Sequence, residues 1–562
     1  MSDENHDFFE LEERADFIDE ENLMAWDVEV SLFKKIRKEL LQHGSRLISG
    51  PRGTGKTHQM RITHERCLID KNKPLSLYVS YGKYMRLEPL LTRSTEAISL
   101  FHIWVLGRIL NSGFEWVEKT GLDNKKYEDK LEIGKKELEA LISELQKGTI
   151  QQHTETSKKI SIEKTIDCIE WLYKESKRKR AILLLDDAAL QLAPDYLVEF
   201  FDIFRSIKTN KISPKASVYP GTTEYGPRFH VGHDALRVNA WLDADTVEYS
   251  DFMTELINKR FKKEFINVPN DYIEIFKLSS FGIPRTFIGL LYTFSQTEGH
   301  SNQEKFNKVI NERASMIESE YLSLHEKVKQ YKSIIEIGHD LFTQIVDKIV
   351  EVNHKGKNEK ILVIGIQKEK RQDFQINQMF KFLVEAGLLY DEIAPVKHGE
   401  DRIYTRYRPH LLFLIKNRIY SKSRGLNTKK ALAFFKRKSS KHPIRSKIDN
   451  FITDRSKVKL DLPACINCGE VRIAPEQRFC HNCGTPLVRE SIFLECLKLK
   501  ICDLPISEYL KSKVGETDIR TIEDILGFHD PSSVLRKVSG IGPKRSEKII
   551  KTVKSKVAEF VQ

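Results

Sequence analysis

Eight consecutive residues, 50–57, fit the phosphate-loop pattern G-x-x-x-x-G-K-S/T. Glycines in such a loop let backbone N–H groups turn toward phosphate oxygens, the lysine reaches the β- and γ-phosphates, and the last hydroxyl ligates Mg²⁺. The pattern follows an apolar pair and precedes a helical stretch from His58, so the chain is predicted to bind a nucleoside triphosphate; the alternative is a chance match in a glycine-rich turn. The predicted contacts are Gly50, Pro51, Arg52, Gly53, Thr54, Gly55, Lys56 and Thr57.

Two carboxylates, Asp186 and Asp187, end the apolar run at residues 181–185. Such a run is typical of a strand buried on both faces, and a parallel sheet delivers its acids to the edge where the phosphate loop also lies. We expect Thr57 and Asp186 to hold Mg²⁺, Asp186 through the water shell, and Asp187 to orient or deprotonate the attacking water. The alternative is that Asp187 only caps the following helix. Because this base is one methylene shorter than glutamate, we expect hydrolysis to be slow or to require a rearrangement first.

Four of the eight cysteines have the spacing C-x2-C-x11-C-x2-C. Paired CxxC knuckles place four thiolates around Zn²⁺, and Gly469 and Gly484 permit the tight turn after each knuckle. All four ligands come from the protein, so the site is structural and leaves no position for catalysis. A disulfide framework is not expected in a reducing compartment, and a redox CxxC needs only one pair. The predicted zinc ligands are Cys465, Cys468, Cys480 and Cys483.

Length and composition describe an ordinary multidomain chain. Its 562 residues predict three to four domains, with 31% charged and 40% hydrophobic residues. The net charge of +12 is uneven, because the first thirty residues are acidic and residues 422–447 are dominated by Lys and Arg. That basic stretch predicts a polyanionic partner or, alternatively, a solvated linker. No segment approaches about 18 consecutive apolar residues and the start lacks a signal-peptide n-region, so we expect a cytoplasmic protein without membrane contact.

The elements that must position these residues alternate between strands and helices. Helices are predicted over residues 33–44, 96–110 and 160–176, and residues 124–148 form a charged helical stretch that is interpreted as an insertion. Strands are predicted at 75–80 and 216–219. Thr222 and Thr223 follow the second of these strands, where a sensor group would stand between Mg²⁺-bound water and the γ-phosphate. The alternative is a simple Gly-Thr-Thr turn.

The order of phosphate loop, apolar-Asp-Asp strand, strand with terminal Thr, and the sequence Gly-Ile-Pro-Arg at 282–285 resembles the AAA+ and STAND class of ATPases. It is closest to the origin-recognition-like branch, over residues 8–318. The resemblance implies that Arg285 is a sensor 2 residue reaching the nucleotide from a helical lid; a surface arginine at a helix start is the alternative. Arg228 lies where a trans-acting arginine finger could lie, although no motif fixes it. Asp187 in place of glutamate and a sensor 1 position without Asn or Arg leave the hydrolysis rate and the oligomer mechanism open.

Two further segments resemble DNA-binding modules. Helices at 331–352 and 373–386 followed by a hairpin at 388–408 resemble a winged helix, whose wing would contact phosphates without reading sequence. A winged helix used only for packing is the alternative. The candidate residues are Gln375, Gln378 and Lys381 on the recognition helix and Arg402, Arg406 and Arg408 on the wing.

The last residues resemble a helix-hairpin-helix motif. Gly540 and Gly542 would let backbone amides approach a phosphate, Ile541 would anchor the hairpin, and Lys544 and Arg545 would supply charge. Residues 507–526 look like a degenerate first copy, and the pair resembles the tandem fold of the carboxyl-terminal domain of the RNA polymerase alpha subunit. Such domains sometimes bind only protein.

The predicted fold class is multidomain, with an α/β P-loop NTPase core, a helical lid, a winged helix, a zinc ribbon and an α-helical tail. The expected boundaries are an acidic segment at 1–30, the ATPase core at 31–270 with its insertion at 124–150, the lid at 271–325, the winged helix at 326–420, a basic linker at 421–458, the ribbon at 459–490 and the helix-hairpin-helix domain at 491–562.

The predicted function is an ATP-dependent DNA-binding ATPase, a switch that couples nucleotide state to DNA binding or assembly. ATP, Mg²⁺ and Zn²⁺ are its expected cofactors, double-stranded DNA its expected partner, and a homo-oligomer its expected ATP-bound form. Two alternatives remain. One is an antiphage nucleic-acid sensor acting with a separate effector, and the other is an ATP-binding scaffold that recruits replication or transcription proteins.

Overall fold

The computed structural model describes most of the chain. The described residues are Ala15 and residues 17–82, 96–147, 154–187, 194–261, 268–356, 358–369, 373–398, 402–423, 426–441, 443–462, 464–465, 467–472, 477, 479–485, 487, 499–504, 506–515, 519–527 and 531–561. The predicted acidic segment at 1–30 lies mostly outside them. So does the turn that joins the predicted wing strands.

A five-stranded parallel sheet forms the first domain. Its strand order is β2-β3-β4-β1-β5, and every neighbouring pair is parallel. This core fits a P-loop NTPase. The strands are β1 (Arg46–Ser49), β2 (Leu75–Ser80), β3 (Ala181–Asp186), β4 (Ile212–Val218) and β5 (Leu236–Asn239).

Helices surround this sheet and continue to the end of the chain. They are α1 (Glu20–Ala25), α2 (Ser31–Leu41), α3 (Lys56–Ile69), α4 (Ala97–Thr120), α5 (Asn124–Leu131), α6 (Lys135–Lys147), α7 (Glu155–Lys158), α8 (Ile162–Glu175), α9 (Pro194–Ser206), α10 (Val247–Arg260), α11 (Asn270–Ser279), α12 (Pro284–Gln296), α13 (Asn302–Leu322), α14 (Leu324–Lys327), α15 (Lys332–Lys355), α16 (Phe374–Glu385), α17 (Leu411–Lys416), α18 (Thr428–Phe435), α19 (Glu508–Gly515), α20 (Ile522–Gly527), α21 (Pro531–Leu535) and α22 (Pro543–Val561).

Strand β3 shows why the sheet has this form. Ile182 and Leu184 enter the hydrophobic core on one face, whereas Leu183 and Leu185 enter a second core on the other. Both faces are therefore covered, which explains a continuous apolar run instead of alternation with polar residues. The parallel register brings the carboxyl ends of β1, β3 and β4 to one edge of the sheet.

Helix α4 is longer than predicted and belongs to the second core. By length and composition it is the one helix among the described residues that could cross a membrane, but 78% of its most apolar window is buried. Helices α5 and α6 pack on it through buried Tyr127, Leu138 and Ile142. A Cβ atom at Gly113 would lie 2.3 Å from the Tyr127 hydroxyl, so the two helices approach closely. The stretch predicted as a charged insertion thus shares the core of the domain.

A second sheet has the strand order β7-β8-β6-β9. Its strands are β6 (Ile364–Gln367), β7 (Leu389–Lys397), β8 (Ile403–Pro409) and β9 (Ile444–Ser446). Strands β7 and β8 form the predicted hairpin. The sequence reasoning missed β6 and β9. Both are too short for their side-chain alternation to be distinguished from that of a loop.

The segment predicted as a basic linker, 421–458, contains α18 and β9. Buried Phe434, Phe435 and Phe451 join the core that the first sheet and α15 share. Lys360 fixes this segment further, because its Nζ donates to the carbonyl of Phe435 (2.7 Å) and to Asp245 (2.6 Å). The segment differs from the predicted linker because the aromatic residues between its cations form a buried face, which a count of charges does not reveal.

Candidate nucleotide site

The phosphate loop connects β1 to α3 with two glycines in the left-handed region. Gly53 has φ +78° and Gly55 has φ +91°, values that side chains rarely adopt. A Cβ atom at Gly53 would lie 2.9 Å from the Cβ of Arg285 and 2.9 Å from Ile283. The loop therefore packs directly on the start of α12, and this packing brings Arg285 to the phosphate loop.

Lys56 is buried at the start of α3. Its Nζ donates to the carbonyl oxygens of Gly50 (2.6 Å) and Pro51 (2.9 Å) and lies 3.9 Å from the centroid of the Tyr219 ring. Burial lowers the pKa of Lys56 to about 7, although the charges of Asp187 and Asp186 act to raise it. No sequence pattern indicated that Tyr219 would lie over this lysine.

The two acids at the end of β3 differ in surroundings. Asp186 is buried and accepts hydrogen bonds from the Tyr78 hydroxyl (3.0 Å) and the Asp187 backbone N–H (3.1 Å). Asp187 has φ +54°, an uncommon value for a residue with a side chain. Its N–H also donates to the hydroxyl of Ser217 on β4 (2.9 Å). Residues 188–193, where a helix capped by Asp187 would begin, lie outside the described part of the chain.

A cavity of about 200 Å³ lies between the phosphate loop, α10 and α12. Its lining combines polar residues, among them Arg52, Thr57 and Asp187, with apolar and aromatic ones. Arg260 lies over the Trp26 ring at 5.0 Å from its centroid. Burial lowers the pKa of Arg260 to about 10, and its Nε has no hydrogen-bond partner among the described residues. The apolar and aromatic lining consists of Trp26, Val28, Phe33, Phe252, Leu256 and Ile288.

The cavity lining holds several groups that can contact a triphosphate. Lys56, Thr57, Asp187 and Arg285 all belong to it, whereas Asp186 does not. Cations, a hydroxyl and aromatic carbon in one cavity suit a ligand with a charged tail and a flat base.

Thr222 lies at the carboxyl end of β4, as predicted, but its hydroxyl is engaged. It donates to Oε1 of Glu385, the last residue of α16, at 2.8 Å. The hydroxyl of Thr223 accepts from the Tyr219 N–H at 2.9 Å. In this conformation neither threonine presents its hydroxyl to the cavity. No sequence signal indicated Glu385, which is 163 residues away from Thr222.

Arg228 is exposed and lies outside the cavity. It forms an ion pair with Asp202 of α9 at 2.7 Å, and 63% of its side chain is accessible. Arg228 is not among the residues that line the cavity.

The four cysteines converge. Their sulfur atoms all lie within 4.8 Å of one another, with 3.5 Å between the sulfurs of Cys465 and Cys483 and 3.5 Å between those of Cys468 and Cys480. These distances are too long for disulfides, which need about 2.05 Å. Gly469 and Gly484 have φ +72° and +70°, the left-handed turns predicted after each knuckle. The donor set and spacing fit a tetrahedral zinc ion.

The residues predicted to contact DNA divide into two groups. Arg402 is exposed on the hairpin, and Arg406 is partly exposed and donates to the carbonyl of Ala394. By contrast, Arg408 is buried and pairs with Asp243. Gln378 is also buried and donates to the carbonyl of Gly221. The prediction that Gln378 and Arg408 face DNA is therefore wrong, because Gln378 on α16 and Arg408 on β8 both turn toward partners in the nucleotide domain.

Helices α19 to α22 form a small core of their own around Leu535, Ile541 and Ile549. Gly540 has φ +95°, and a Cβ atom there would lie 2.4 Å from the Tyr509 hydroxyl. Gly542 and Lys544 are exposed. Arg545 is exposed as well, although it donates to the carbonyl of Gly540 at 2.6 Å. Ile541 is buried, as an anchor of the hairpin was predicted to be, while phosphate contact by this loop stays a prediction.

Comparison with known proteins gives distant matches. No protein-family model and no curated protein matches the chain. Among solved structures, the Walker-type ATPase of Pyrococcus abyssi has 13% identity and a TM-score of 0.34, and the match covers 70% of this chain and 98% of that one. The Aeropyrum pernix ORC1 protein in complex with DNA has 13% identity and a TM-score of 0.31 (71% and 96% covered). AMPPCP-bound DnaA from Aquifex aeolicus has 14% identity and a TM-score of 0.27 (60% and 87% covered). Similarity this low says nothing about activity or partners.

Proposed function

We propose that this chain is an ATP-dependent DNA-binding switch. The observation that carries the proposal is the cavity whose lining brings together the phosphate loop, Asp187, Arg285 and aromatic side chains. A triphosphate would bind at the phosphate loop, since backbone N–H groups and a helix start favour anions. The base would stack on aromatic side chains of the same lining.

Each polar residue has a chemical role in this proposal. Lys56 exchanges its two carbonyl acceptors for phosphate oxygens, a stronger charge-assisted contact. Thr57 would ligate Mg²⁺ directly and Asp186 would hold it through its water shell; the ion would supply positive charge to the β- and γ-phosphates. Asp187 orients or deprotonates the attacking water. Arg285 contacts the γ-phosphate from α12 and thereby lets the helical lid respond to nucleotide.

The proposed DNA contacts lie in two regions of the carboxyl-terminal half. The hairpin loop with Gly540, Gly542 and Lys544 presents backbone N–H groups and charge to a phosphate. The segment 426–447 contains no Asp or Glu and forms a basic surface together with Arg402 and Arg406. Its cations are Lys429, Lys430, Lys436, Arg437, Lys438, Lys441, Arg445 and Lys447.

Two further parts of the proposal concern structure and assembly. A zinc ion bound by Cys465, Cys468, Cys480 and Cys483 would fold the ribbon between the two basic regions. An ATP-bound homo-oligomer would let the exposed Arg228 reach the γ-phosphate of a neighbouring copy. Coupling between ATP and DNA binding would then run through the subunit interface.

ATP hydrolysis with and without duplex DNA tests the proposal. Stimulation by DNA supports the switch. A second candidate, an ATP-binding scaffold with little turnover, is favoured by the Thr222 hydroxyl, which is held by Glu385 and turned away from the cavity. Tight ATP binding without measurable turnover, with or without DNA, would support the scaffold. Activation by only one type of nucleic acid would instead support the nucleic-acid sensor.

A further inference from the structure

The turn after β4 is held by a helix of the following domain. Oε2 of Glu385 accepts from the backbone N–H groups of Gly221 (2.7 Å) and Thr222 (2.6 Å), and Oε1 accepts from the Thr222 hydroxyl (2.8 Å). Gln378 completes the contact, because its Nε2 donates to the Gly221 carbonyl at 2.5 Å. Every polar group of Gly221 and the donor groups of Thr222 are thus satisfied by α16.

The two side chains of α16 are placed for this contact. Gln378 and Glu385 are seven residues apart and share one helix face. Both are buried. A Cβ atom at Gly221 would lie 2.8 Å from Phe382 and 2.9 Å from Oε2 of Glu385, so glycine alone fits there. Gly221 and α16 therefore pack against each other without room for a further side-chain atom.

The position of Glu385 is unfavourable without these bonds. It is the last residue of α16, where the helix dipole disfavours negative charge, and it is 5% exposed. A buried carboxylate needs hydrogen-bond donors or cations. The turn supplies three donors, and the neighbouring nucleotide site supplies positive charge.

Glu385 shares its surroundings with the nucleotide site. A small cavity of about 90 Å³ is lined by Arg52, Arg285 and Glu385 together. The charge of Glu385 also acts on Lys56, in the same direction as the charges of Asp186 and Asp187. The phosphates of a nucleotide would bring further negative charge to these same cations. The phosphates and Glu385 would then compete for the positive charge of Arg52, Lys56 and Arg285.

We propose that Glu385 is a positioning residue that keeps the Thr222 hydroxyl away from the empty nucleotide site and releases it when a γ-phosphate arrives. This inference rests on the proposed ATP binding. Thr222 cannot donate to Glu385 and to the γ-phosphate or its attacking water at the same time. Release of Glu385 frees α16, so the domain that carries Arg402 and Arg406 senses the γ-phosphate directly.

Linkage fixes the direction of the effect. If ATP weakens the contact between Glu385 and the turn, then weakening that contact must strengthen ATP binding by the same factor. ADP lacks the γ-phosphate and should respond less. Glu385→Gln removes the charge and replaces one of the two acceptor oxygens with an N–H donor, but keeps the size of the side chain.

The test measures ATP and ADP affinity by calorimetry on the full chain, together with hydrogen exchange of the Gly221 and Thr222 amides without nucleotide. We expect Glu385→Gln to bind ATP about fivefold or more tightly than the wild type, with a smaller change for ADP. The two amides should exchange faster in this variant. Gln378→Ala should also increase ATP affinity, but by a smaller factor. It replaces Glu385→Gln in the test if that variant fails to fold.

Glu392→Gln is the matched control. Glu392 on β7 pairs with Arg237 on β5 at 3.1 Å, so this variant also breaks a contact between the two domains, away from Lys56. It should leave the ratio of ATP to ADP affinity unchanged. An unchanged ratio in Glu385→Gln or, if that variant does not fold, in Gln378→Ala, with normal ATP binding by the wild type, would overturn this inference alone. A wild type without ATP binding would contradict the proposed function and the release step with it.

Discussion

The ammonium group of Lys56 lies 3.9 Å from the centroid of the Tyr219 ring while it donates to two carbonyl oxygens of its own loop. The lysine therefore rests inside the protein, away from water. Burial is the reason that its pKa falls to about 7. Its charge is thus sensitive to pH in the physiological range, unlike that of an exposed lysine.

Proton uptake should accompany ATP binding above pH 7. The free protein then carries mostly neutral Lys56, whereas the phosphates raise its pKa and require the charged form. ATP affinity should fall by up to about tenfold per pH unit above pH 7 and stay level below it. Calorimetry at pH 8.5 in two buffers of different ionisation enthalpy measures the uptake. Equal heats in both buffers would contradict the shifted pKa.

Asp187→Asn should keep ATP binding and lose turnover. The amide cannot act as a base, so we expect a loss of about 10²- to 10⁴-fold in the hydrolysis rate. Asparagine tolerates the left-handed backbone at this position, and the fold should survive. Steady-state phosphate release measures the effect. Asp340→Asn on the exposed side of α15 is the control, and wild-type turnover in Asp187→Asn would remove Asp187 from the mechanism.

Cys480→Ser should release one zinc ion per chain and unfold the ribbon. A small four-ligand module takes its folding free energy from the metal, so losing one thiolate should be enough. The ATPase core should keep its melting temperature. Cys502→Ser, at an exposed cysteine outside the cluster, should retain the metal. Elemental analysis that finds no zinc in the wild type, or full zinc in Cys480→Ser, would refute the site.

Lys544→Ala combined with Arg545→Ala should weaken duplex binding and flatten its salt dependence. Each lost phosphate contact removes about 0.9 from the slope of log affinity against log salt, so the slope should change by about two. The basic surface around residues 426–447 should keep the remaining affinity. Lys136→Ala, at an exposed position of α6, is the charge control. Fluorescence anisotropy with an unchanged slope would mean that the hairpin binds protein instead of DNA.

The residues of the candidate site that lie within one motif could be predicted from the sequence. The phosphate loop, the acids after β3 and the four cysteines have fixed spacing, because neighbouring backbone geometry sets their function. Sequence reasoning could not find contacts between distant segments. Glu385 and Trp26 reach the site through tertiary packing, and no local pattern encodes this. The same limit explains Gln378 and Arg408, whose polar side chains satisfy buried partners where an exposed DNA-binding face was expected.

The same distinction, between local patterns and contacts of distant segments, applies to the strands and helices. β2 begins and ends where the pattern predicts, at Leu75 and Ser80, because apolar Leu75, Leu77 and Val79 recur at every second position. β5 was not predicted, because its first two residues are exposed and only Val238 is buried. The basic segment with α18 was predicted to be a linker because its cations outnumber the aromatic residues that pack into the core.

Calorimetric titration of ATP into the wild type and Lys56→Ala tests the central claim most directly. The wild type should bind one ATP per chain, and Lys56→Ala should bind at least about tenfold more weakly, because a charge-assisted phosphate contact is lost. Lys71→Ala, at an exposed lysine just after the end of α3, should bind as the wild type does. No binding by the wild type, or equal affinity for Lys56→Ala, would contradict a nucleotide site at the phosphate loop.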